Sequence, residues 1–518
     1  MSGADRRRWW ALVALLVAEA MNLLDATIVT VAGPVIHTEL GGAAGLIPWF
    51  NAAYTLPFAV LLVTGGRLGD LFGRRRVFAL GVAGFAAASL ACALAPDPGA
   101  LIGMRAVQGA AAALVIPQTI GLIRTMFDGP ELARAMGTVG PVMGLAAILG
   151  PVLGAVLTRA DLFGLSWRSV FLVNLLPAAA ALVGATLLPP HTATARTRLD
   201  LPGTVLLAAA TGLLAHPLLV TAGRPAIRGA ELACGVGLVV LFAAHQRSRA
   251  RAGRATLVEP SLFRDRAFPA ALATSTLFFA AMNGLLLVIV LQVQLGAGAG
   301  VLAAGMMLLP WSAAMAAGSL AAGARLVPRY GGTVMFAGLG LMALGLLAAV
   351  AAYGAAGPHG YPWPLLPALA LAGLGNGLFT VPFFTTALSR VRPHETGSAG
   401  GLLNAVQQLG ATLGTAALGG VFLTALRAPD AAAASLPAAR LAFTAALGLL
   451  GLTAVAAVVM TGRQPRGAEG IGGTGAASEA GGVGEAGGAG SAGAVGRAGA
   501  AGRAGRKTGC PGEEGVVP

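Results

Sequence analysis

Apolar residues in this 518-residue chain are grouped into fourteen runs, most of them about twenty residues long, and short polar segments separate the runs. A helix rises about 1.5 Å per residue, so about twenty residues cross the roughly 30 Å hydrocarbon core of a bilayer. The pattern therefore predicts an all-α membrane protein with fourteen transmembrane helices. The runs lie at 9–35, 48–66, 77–95, 100–123, 135–157, 170–188, 203–222, 230–245, 269–291, 301–322, 333–353, 364–388, 399–426 and 438–460.

The runs divide into two sets of six, within 1–188 and 269–460, and two further runs lie between them within 189–245. The segment after the second run, Arg67–Gly73, has a weaker echo after the tenth run, Arg325–Gly331. Internal repeats are common in transporter folds. We therefore predict two six-helix halves that are connected by two extra linker spans.

Two segments outside the runs differ in character. The arginine-rich segment at 246–268 lies before the second half, and we expect it to be a cytoplasmic loop. Residues 461–518 are rich in glycine and alanine and poor in large apolar side chains, so we expect a disordered cytoplasmic tail. A stretch in this tail, Gly505–Thr508, resembles a Walker sequence, but Arg506 occupies the position that requires glycine, which argues against an ATPase.

The composition excludes a water-soluble enzyme, because 56% of the residues are hydrophobic and only 10% are charged. The formal net charge of +14 does not indicate nucleic-acid binding, because the arginines form short clusters between apolar runs rather than one basic face. With the N-terminus inside, inward segments hold 21 arginines, and outward segments and ends hold six. The positive-inside rule therefore predicts that both termini are cytoplasmic, in a multi-pass protein of the cytoplasmic membrane.

The three cysteines have neither disulfide nor metal-ligand spacing, so we expect no metal site. We also expect no cofactor, and a protein that acts as a monomer.

Spaced glycines and one acid follow the second run, in the sequence GRLGDLFGRRR, which contains Gly66, Asp70, Gly73, Arg74 and Arg75. A cluster that serves only topology would explain the arginines but not the spaced glycines and acid. The segment resembles the signature loop of the major facilitator superfamily. The resemblance implies that these five residues form an inner gate, in which the Asp meets a helix N-terminus and the arginines pair across the two halves.

The first run holds a carboxylate, Asp25, and a charge within a span costs roughly 2.5 to 3.5 kcal/mol on insertion scales. By helical rise, Asp25 lies about 24 Å from the inner face and Arg105 about 7 Å from the outer face, so both lie near one level. Alternatively, each charge snorkels to the outer headgroups.

The stretches LDATIVTVAGP at Asp25 and LIGMRAVQG at Arg105 resemble motifs of the fourteen-span drug:proton antiporters of this superfamily. The resemblance implies that Asp25 carries the coupling proton and that Arg105 sets its affinity for it. Glu19, in the same run, is the next candidate for the proton carrier.

Small residues recur in the fifth run at Gly137, Gly150, Pro151 and Gly154. Small residues at such spacing let membrane helices approach closely, although a chain with 77 glycines contains many chance pairs. The run also resembles the fifth-span motif of the antiporters, with Ala146 in place of one glycine. This resemblance favours an antiporter.

Together these features predict an ion-gradient-driven exporter of drugs, antibiotics or other small amphipathic molecules, in which two halves rock about a central cavity. The alternatives are a nutrient or metabolite permease of the same superfamily and a non-transporting membrane sensor. His216, beside Pro217, is expected to be a packed or lipid-interface residue rather than a proton carrier. The polar residues that we assign to the cavity are Asn22, Asn283, Gln292, Asn376, Asn404 and Gln407.

Overall fold

The computed structural model describes residues 3–189, 199–219, 224–254, 256–355, 363–392, 396–426 and 431–462. All regular structure in these ranges is helical, as the apolar runs predict. The tail expected at 461–518 lies outside the described residues, apart from its first two. In these ranges fourteen helices exceed ten residues, namely α1 Gly3–Leu40, α2 Ile47–Phe72, α3 Arg74–Ala93, α4 Pro98–Met126, α5 Gly129–Ala160, α6 Leu175–Ala185, α7 Leu201–Leu219, α8 Pro225–Arg251, α9 Ala267–Leu291, α10 Val301–Ala321, α11 Val334–Ala355, α12 Leu365–Leu388, α13 Thr396–Ala425 and α14 Ala431–Thr461.

By length and composition, twelve stretches of the described residues can cross a membrane, and Leu201–Pro217 is a shorter apolar helix. One of the twelve, Val301–Ala355, is 55 residues long and contains both α10 and α11. The chain turns between these two helices at Gly331, whose φ of 60° is a conformation that glycine adopts without strain. The protein is therefore a multi-pass membrane protein.

The helices form two sets, each with its own core. In the first set α1 packs against α5 and α6, and α4 packs against α2 and α3, around buried rings such as Phe78 and Phe85. In the second set α9 packs against α13 and α14, and α12 packs against α10 and α11. There the ring centroid of Phe379 lies 3.8 Å from that of Phe278 and 5.3 Å from that of Phe383.

The two sets meet along two pairs of helices, α2 with α13 and α5 with α10. In the first pair the buried hydroxyls of Thr55 and Thr412 are 2.5 Å apart. In the second pair a Cβ placed on Gly305 would lie only 2.9 Å from the carbonyl oxygen of Pro151. Small residues at these contacts let the helix backbones approach closely.

The linker helices α7 and α8 pack against each other, and α7 also packs against both α2 and α13. One apolar cluster joins Ala215 of α7 to Ala52 of α2 and Ala416 of α13. Further along the same helices, the hydroxyls of Thr64 and Thr204 are 3.1 Å apart. The linker hairpin thus covers the line along which α2 and α13 meet.

Two loops are shorter than the sequence predicts. A loop is predicted at 67–76, but α2 continues to Phe72 and α3 begins at Arg74, so only Gly73 separates them. Similarly, α8 continues to Arg251, which shortens the basic loop predicted at 246–268. Arginine is a good helix former, and its long side chain reaches water from a position near the end of a helix. The arginines therefore mark where the apolar run ends, but the helix continues through them.

Candidate functional site

Asp25 and Arg105 form an ion pair that is wholly buried between α1 and α4. Arg105 Nη1 donates to Asp25 Oδ2 at 2.5 Å, and both side chains are 0% exposed. Neither charge therefore reaches the lipid headgroups. The alternative in which both side chains snorkel requires that they do, so the structure argues against it. The two residues meet because they lie at the same depth on neighbouring helices, as helical rise predicts.

Two amides from other helices hold the second carboxylate oxygen of Asp25. Asp25 Oδ1 accepts hydrogen bonds from Asn174 Nδ2 at 2.7 Å and from Gln108 Nε2 at 3.0 Å. Ser89 Oγ accepts from the same amides, at 3.5 Å from Asn174 and 2.8 Å from Gln108. A buried carboxylate needs such partners, because an unpaired charge in apolar surroundings is costly. The network joins α1, α3, α4 and the start of α6.

The sequence does not identify Ser89, Gln108 or Asn174 as site residues. Gln108 is notable there only as part of the stretch LIGMRAVQG, and Ser89 and Asn174 are single polar residues in apolar runs. All three side chains are buried. A lone polar residue in an apolar run is the only available signal, and only the packing of the helices shows that these three converge on one carboxylate.

Arg105 is also held by α2. Its Nε donates to the carbonyl oxygen of Phe50 at 2.9 Å, and its Nη1 donates to Gln108 Oε1 at 2.6 Å. Its guanidinium carbon lies 4.5 Å from the centre of the Tyr54 ring, within the range of a cation–π interaction. Arg105 Nη2 is buried without a hydrogen-bond partner in the described part of the chain. One donor therefore remains available beside the ion pair.

Glu19 is a second buried acid on α1, only 6% exposed, and its side chain is hydrogen-bonded to Thr119 of α4. Unlike Asp25, Glu19 has no cationic partner among the described residues. Between the two acids, Asn22 donates within its own helix, and the Tyr54 hydroxyl lies 3.5 Å from Asn22 Oδ1. Helix α1 therefore carries two acids and one amide within two turns.

Asn376 of α12 is a nearly fully buried amide in the second set of helices. Its Nδ2 lies 3.0 Å from Met282 Sδ and 3.2 Å from Met315 Sδ, and its Oδ1 accepts from Thr380 Oγ1 at 3.1 Å. A thioether is a weak acceptor. The Asn376 amide can therefore form a stronger hydrogen bond with a carbonyl or hydroxyl of a bound molecule.

The other cavity residues predicted from the sequence do not hydrogen-bond to one another in the described ranges. Asn22 and Asn283 donate to carbonyl oxygens of their own helices. Gln292 is buried, and its Oε1 has no partner among the residues that the structure describes. Asn404 and Gln407 are partly buried, one turn apart on α13. Their assignment to one cavity stays a prediction.

The gate segment, residues 66–76, in which the sequence predicts an inner gate, is organised around Gly73, between α2 and α3. Its φ of 91° lies in a region that favours glycine, and this conformation lets the chain change direction. Asp70 Oδ1 accepts from Arg74 Nη2 at 2.8 Å, and Arg75 Nη1 donates to the carbonyl oxygen of Leu188 at 3.2 Å. These contacts stay within the first set of helices, whereas the resemblance implies a helix N-terminus for the Asp and pairing across the halves. The local pair forms because Asp70 and Arg74 lie on either side of the turn at Gly73.

Arg67 connects the end of α2 to the segment that leads into the second set of helices. Arg67 Nη2 donates to the carbonyl oxygen of Thr256. The next backbone N–H, of Leu257, donates to Gln246 Oε1 at 2.8 Å, and Gln246 Nε2 donates to Asp200 Oδ2 at 2.7 Å. This chain of hydrogen bonds links the gate segment to the end of α8 and the start of α7.

Asp200 is a buried carboxylate immediately before α7. Its Oδ1 lies 2.9 Å from His245 Nε2 and accepts from the Gly203 N–H at 3.1 Å, and Arg249 Nε lies 3.5 Å from its Oδ2. Burial alone would raise the pKa of the Asp200 carboxyl, but its hydrogen bonds and the nearby arginine outweigh burial and lower the pKa. The carboxylate is therefore charged at neutral pH, and its contribution to stability is lost only in acid.

His216 of α7 lies at the surface of the linker hairpin and is not packed in a core. Its Nδ1 lies 3.1 Å from Glu231 Oε2 of α8, and its side chain is 46% exposed. Its ring also meets Trp49 of α2 at 6.0 Å between centroids. The residue therefore joins the two linker helices to each other and to the first set.

The small residues predicted in the fifth run all lie in α5, from Gly137 to Gly154. A Cβ on Gly150 would collide with the Thr27 side chain of α1, and one on Gly154 would lie 3.0 Å from the carbonyl oxygen of Ile28. Thr27 and Ile28 follow Asp25 closely, so this contact fixes α5 against the part of α1 that carries the acid.

Alanine at Gly150 is expected to destabilise the protein and to reduce export strongly, because the β-branched Thr27 cannot turn away freely. Overpacking of this kind costs about 1–3 kcal/mol. Gly144→Ala is a matched control in the same helix, because its Cβ would lie 3.9 Å from Ala316 Cβ, an ordinary contact. The melting temperature in detergent measures stability, and the rate of export in vesicles measures function. Equal melting temperatures and export rates for the two variants would contradict the close contact between Gly150 and Thr27.

Comparisons with known proteins give the family. The sequence model of the Major Facilitator Superfamily matches residues 15–415. The chain is 43% identical to the "Probable actinorhodin transporter" of Streptomyces coelicolor, over 80% of this chain and 72% of that protein. It is 37% identical to "Puromycin resistance protein pur8" of Streptomyces alboniger, over 84% and 86% of the two chains. It is 32% identical to "Multidrug resistance protein Stp" of Mycobacterium tuberculosis, over 82% and 78%.

Solved structures share the fold at low sequence identity. Tetrameric PepTSo2 superposes with a TM-score of 0.63 at 14% identity, covering 88% of this chain and 98% of that chain. A bacterial homologue of the human lysosomal transporter Spinster, in an inward-facing and unoccupied conformation, has a TM-score of 0.62 at 18% identity, covering 89% and 98%. The family match and the helical architecture agree, and this chain belongs to the Major Facilitator Superfamily.

Proposed function

We propose that this protein is a proton-coupled secondary exporter of drugs, antibiotics or other small amphipathic molecules. The observation that carries the proposal is the fully buried Asp25–Arg105 pair. Ionisable residues within membrane helices typically mark ion pathways. Among the described residues, Glu19 and Asp25 are the buried acids that lie within a candidate membrane span. The relatives named for antibiotic transport, puromycin resistance and multidrug resistance support this substrate class.

The mechanism rests on the partners of Asp25. A proton that arrives from the outside removes the charge that holds Arg105, so α1 and α4 are then free to shift against each other. Release of the proton inside restores the ion pair and the previous arrangement. Proton and substrate compete, because each favours a different arrangement of the two sets of helices. The contacts of α2 with α13 and of α5 with α10 are where the sets move.

The proposal includes fourteen spans. The stretch Val301–Ala355 crosses the membrane twice, through α10 and α11, and α7 crosses it as a linker span. An even number of spans and the arginine distribution support a cytoplasmic position for both termini. The halves at 1–188 and 269–460 move about the linker spans at 189–245, in a monomer in the cytoplasmic membrane.

The substrate cavity of this exporter is lined from both sets of helices. Asn22 of α1 contributes from the first set, and Asn376 contributes a weakly bonded amide from the second. Asn283, Gln292, Asn404 and Gln407 complete the polar lining of an otherwise apolar surface. Diffuse polarity of this kind accepts amphipathic molecules of differing shape.

Transport of a fluorescent amphipathic dye into inverted membrane vesicles tests the proposal. We expect uptake to be driven by an imposed proton gradient, acidic inside the vesicles, and to collapse when an ionophore dissipates the gradient. Vesicles without the protein provide the background.

Two other outcomes would contradict a proton-coupled exporter. Uptake that does not depend on the proton gradient would indicate a permease. If folded protein were present in the membrane at normal abundance but moved neither dye nor antibiotic, the result would indicate a sensor.

A further inference from the structure

A hollow of about 560 Å³ opens between the end of α11 and the first turns of α14, away from the Asp25 network. Its size is within the 300–1,000 Å³ that is typical of small-molecule sites. The hollow combines a few polar groups with an apolar wall, whose residues include Leu436, Pro437 and Leu441. The polar side chains that line it are Tyr353, Arg440 and Thr444.

Tyr353 brings an unsatisfied hydroxyl to this hollow. The side chain is only 3% exposed, and its ring packs against Phe443 at 5.2 Å between centroids. The hydroxyl is buried and has no hydrogen-bond partner in the described ranges. An unsatisfied buried hydroxyl is unfavourable, because it has given up its hydrogen bonds to water and gained none in return. A ligand that accepts a hydrogen bond from Tyr353 would remove this cost.

Arg440 supplies a positive charge to the same hollow. The guanidinium of Arg440 extends from α14 across to Gly354 at the end of α11. If Gly354 carried a Cβ, that atom would lie 3.6 Å from Arg440 Nη1. Arg440 has no ion-pair partner among the residues that the structure describes, and none of the described residues that line the hollow is an acid. The chemistry therefore calls for an anion with apolar parts. Tyr353 lies in the last turn of α11, and Arg440 lies near the start of the apolar run at 438–460, so both lie near the level of the lipid headgroups.

We propose that the hollow binds an anionic phospholipid of the surrounding bilayer. Arg440 and the Tyr353 hydroxyl donate to the phosphate oxygens, and the apolar wall covers the first part of an acyl chain. An arginine fork matches the oxygens of a phosphate, which makes this pair a strong charge-assisted contact. A zwitterionic headgroup fits less well, because its cation finds no acid in the lining.

The test uses the purified full chain in detergent, with lipid removed, and measures bound lipid by native mass spectrometry. We expect the first molecule of phosphatidylglycerol to bind more tightly than phosphatidylcholine. Arg440→Gln should weaken the affinity for phosphatidylglycerol about tenfold, as expected for the loss of one hydrogen bond between charged groups. Tyr353→Phe, which retains the ring, should weaken it by a smaller factor.

Arg224→Gln is the matched control, because Arg224 is an exposed arginine just before α8 and does not line the hollow. This variant should bind phosphatidylglycerol as the unmodified protein does. The proposal would be overturned if Arg440→Gln and Tyr353→Phe both bound phosphatidylglycerol as tightly as the unmodified protein, with unchanged melting temperatures. Displacement of the lipid by millimolar inorganic phosphate would also overturn it, because the site would then select a free anion.

Discussion

Asp25→Asn is expected to abolish proton-driven export, and also to lower the melting temperature, because Arg105 then keeps a buried charge without its partner. The substitution preserves the size of the side chain, and its amide oxygen can still accept from Gln108 and Asn174. The amide nitrogen cannot accept from Arg105, so the charged hydrogen bond of the ion pair is lost. It removes the one carboxylate in this network, which is the group that the proposed function assigns to the coupling proton. Downhill movement of substrate should persist, since alternating access itself does not require the acid.

Substrate-induced proton release from purified protein in detergent measures the effect directly. The unmodified protein should release protons when substrate is added, and Asp25→Asn should release none. Glu19→Gln provides the matched control, because it removes the other buried acid of α1. If Asp25→Asn released protons normally and Glu19→Gln did not, Glu19 would be the carrier, and Asp25 would be only a structural partner of Arg105.

Methionine at position 105 is expected to destabilise the protein and to stop export. It leaves Asp25 buried with two amides but without a cation, and breaking a buried ion pair by removal of one partner costs about 3–5 kcal/mol. The full penalty applies, because both side chains are 0% exposed. The melting temperature in detergent should fall clearly, and the yield of folded protein should fall with it.

The double variant Asp25→Asn/Arg105→Met separates stability from coupling. Removal of both charges leaves no unpaired ion, so the melting temperature should recover most of the loss seen in Arg105→Met, as a double-mutant cycle reports. Proton release should remain absent, because the carrier is missing. A double variant no more stable than Arg105→Met would show that the guanidinium stabilises the fold mainly through Phe50 and Tyr54.

The linker hairpin gives the segment of the predicted inner gate partners that a twelve-helix arrangement would lack. Arg67 of the gate segment reaches Thr256, and the hydrogen bonds continue through Gln246 to Asp200. Movement of α2 at this end therefore requires either breakage of these bonds or joint movement of the hairpin. The cover that α7 provides over α2 and α13 favours joint movement.

The sequence was sufficient to predict that the chain is a helical membrane protein of the Major Facilitator Superfamily. Apolar runs must form helices in a bilayer, because only intrahelical bonds satisfy the backbone there. The acid at position 25 was also identifiable, because a charge within such a run is conspicuous. The helix ends at Phe72 and Arg251 were less predictable. Hydropathy shows which residues lie within the hydrocarbon core, whereas the end of a helix depends on where its backbone hydrogen bonds stop.

Only the tertiary structure decided which polar groups meet. Ser89, Gln108 and Asn174 converge on Asp25 from three other parts of the chain, and each alone resembles any isolated polar residue in an apolar run. The local pairing of Asp70 with Arg74 likewise depends on side-chain direction in the folded state. Periodicity and hydropathy specify one helix at a time, whereas these contacts arise from the rotation and depth of several packed helices, which are set by the shapes of all their side chains.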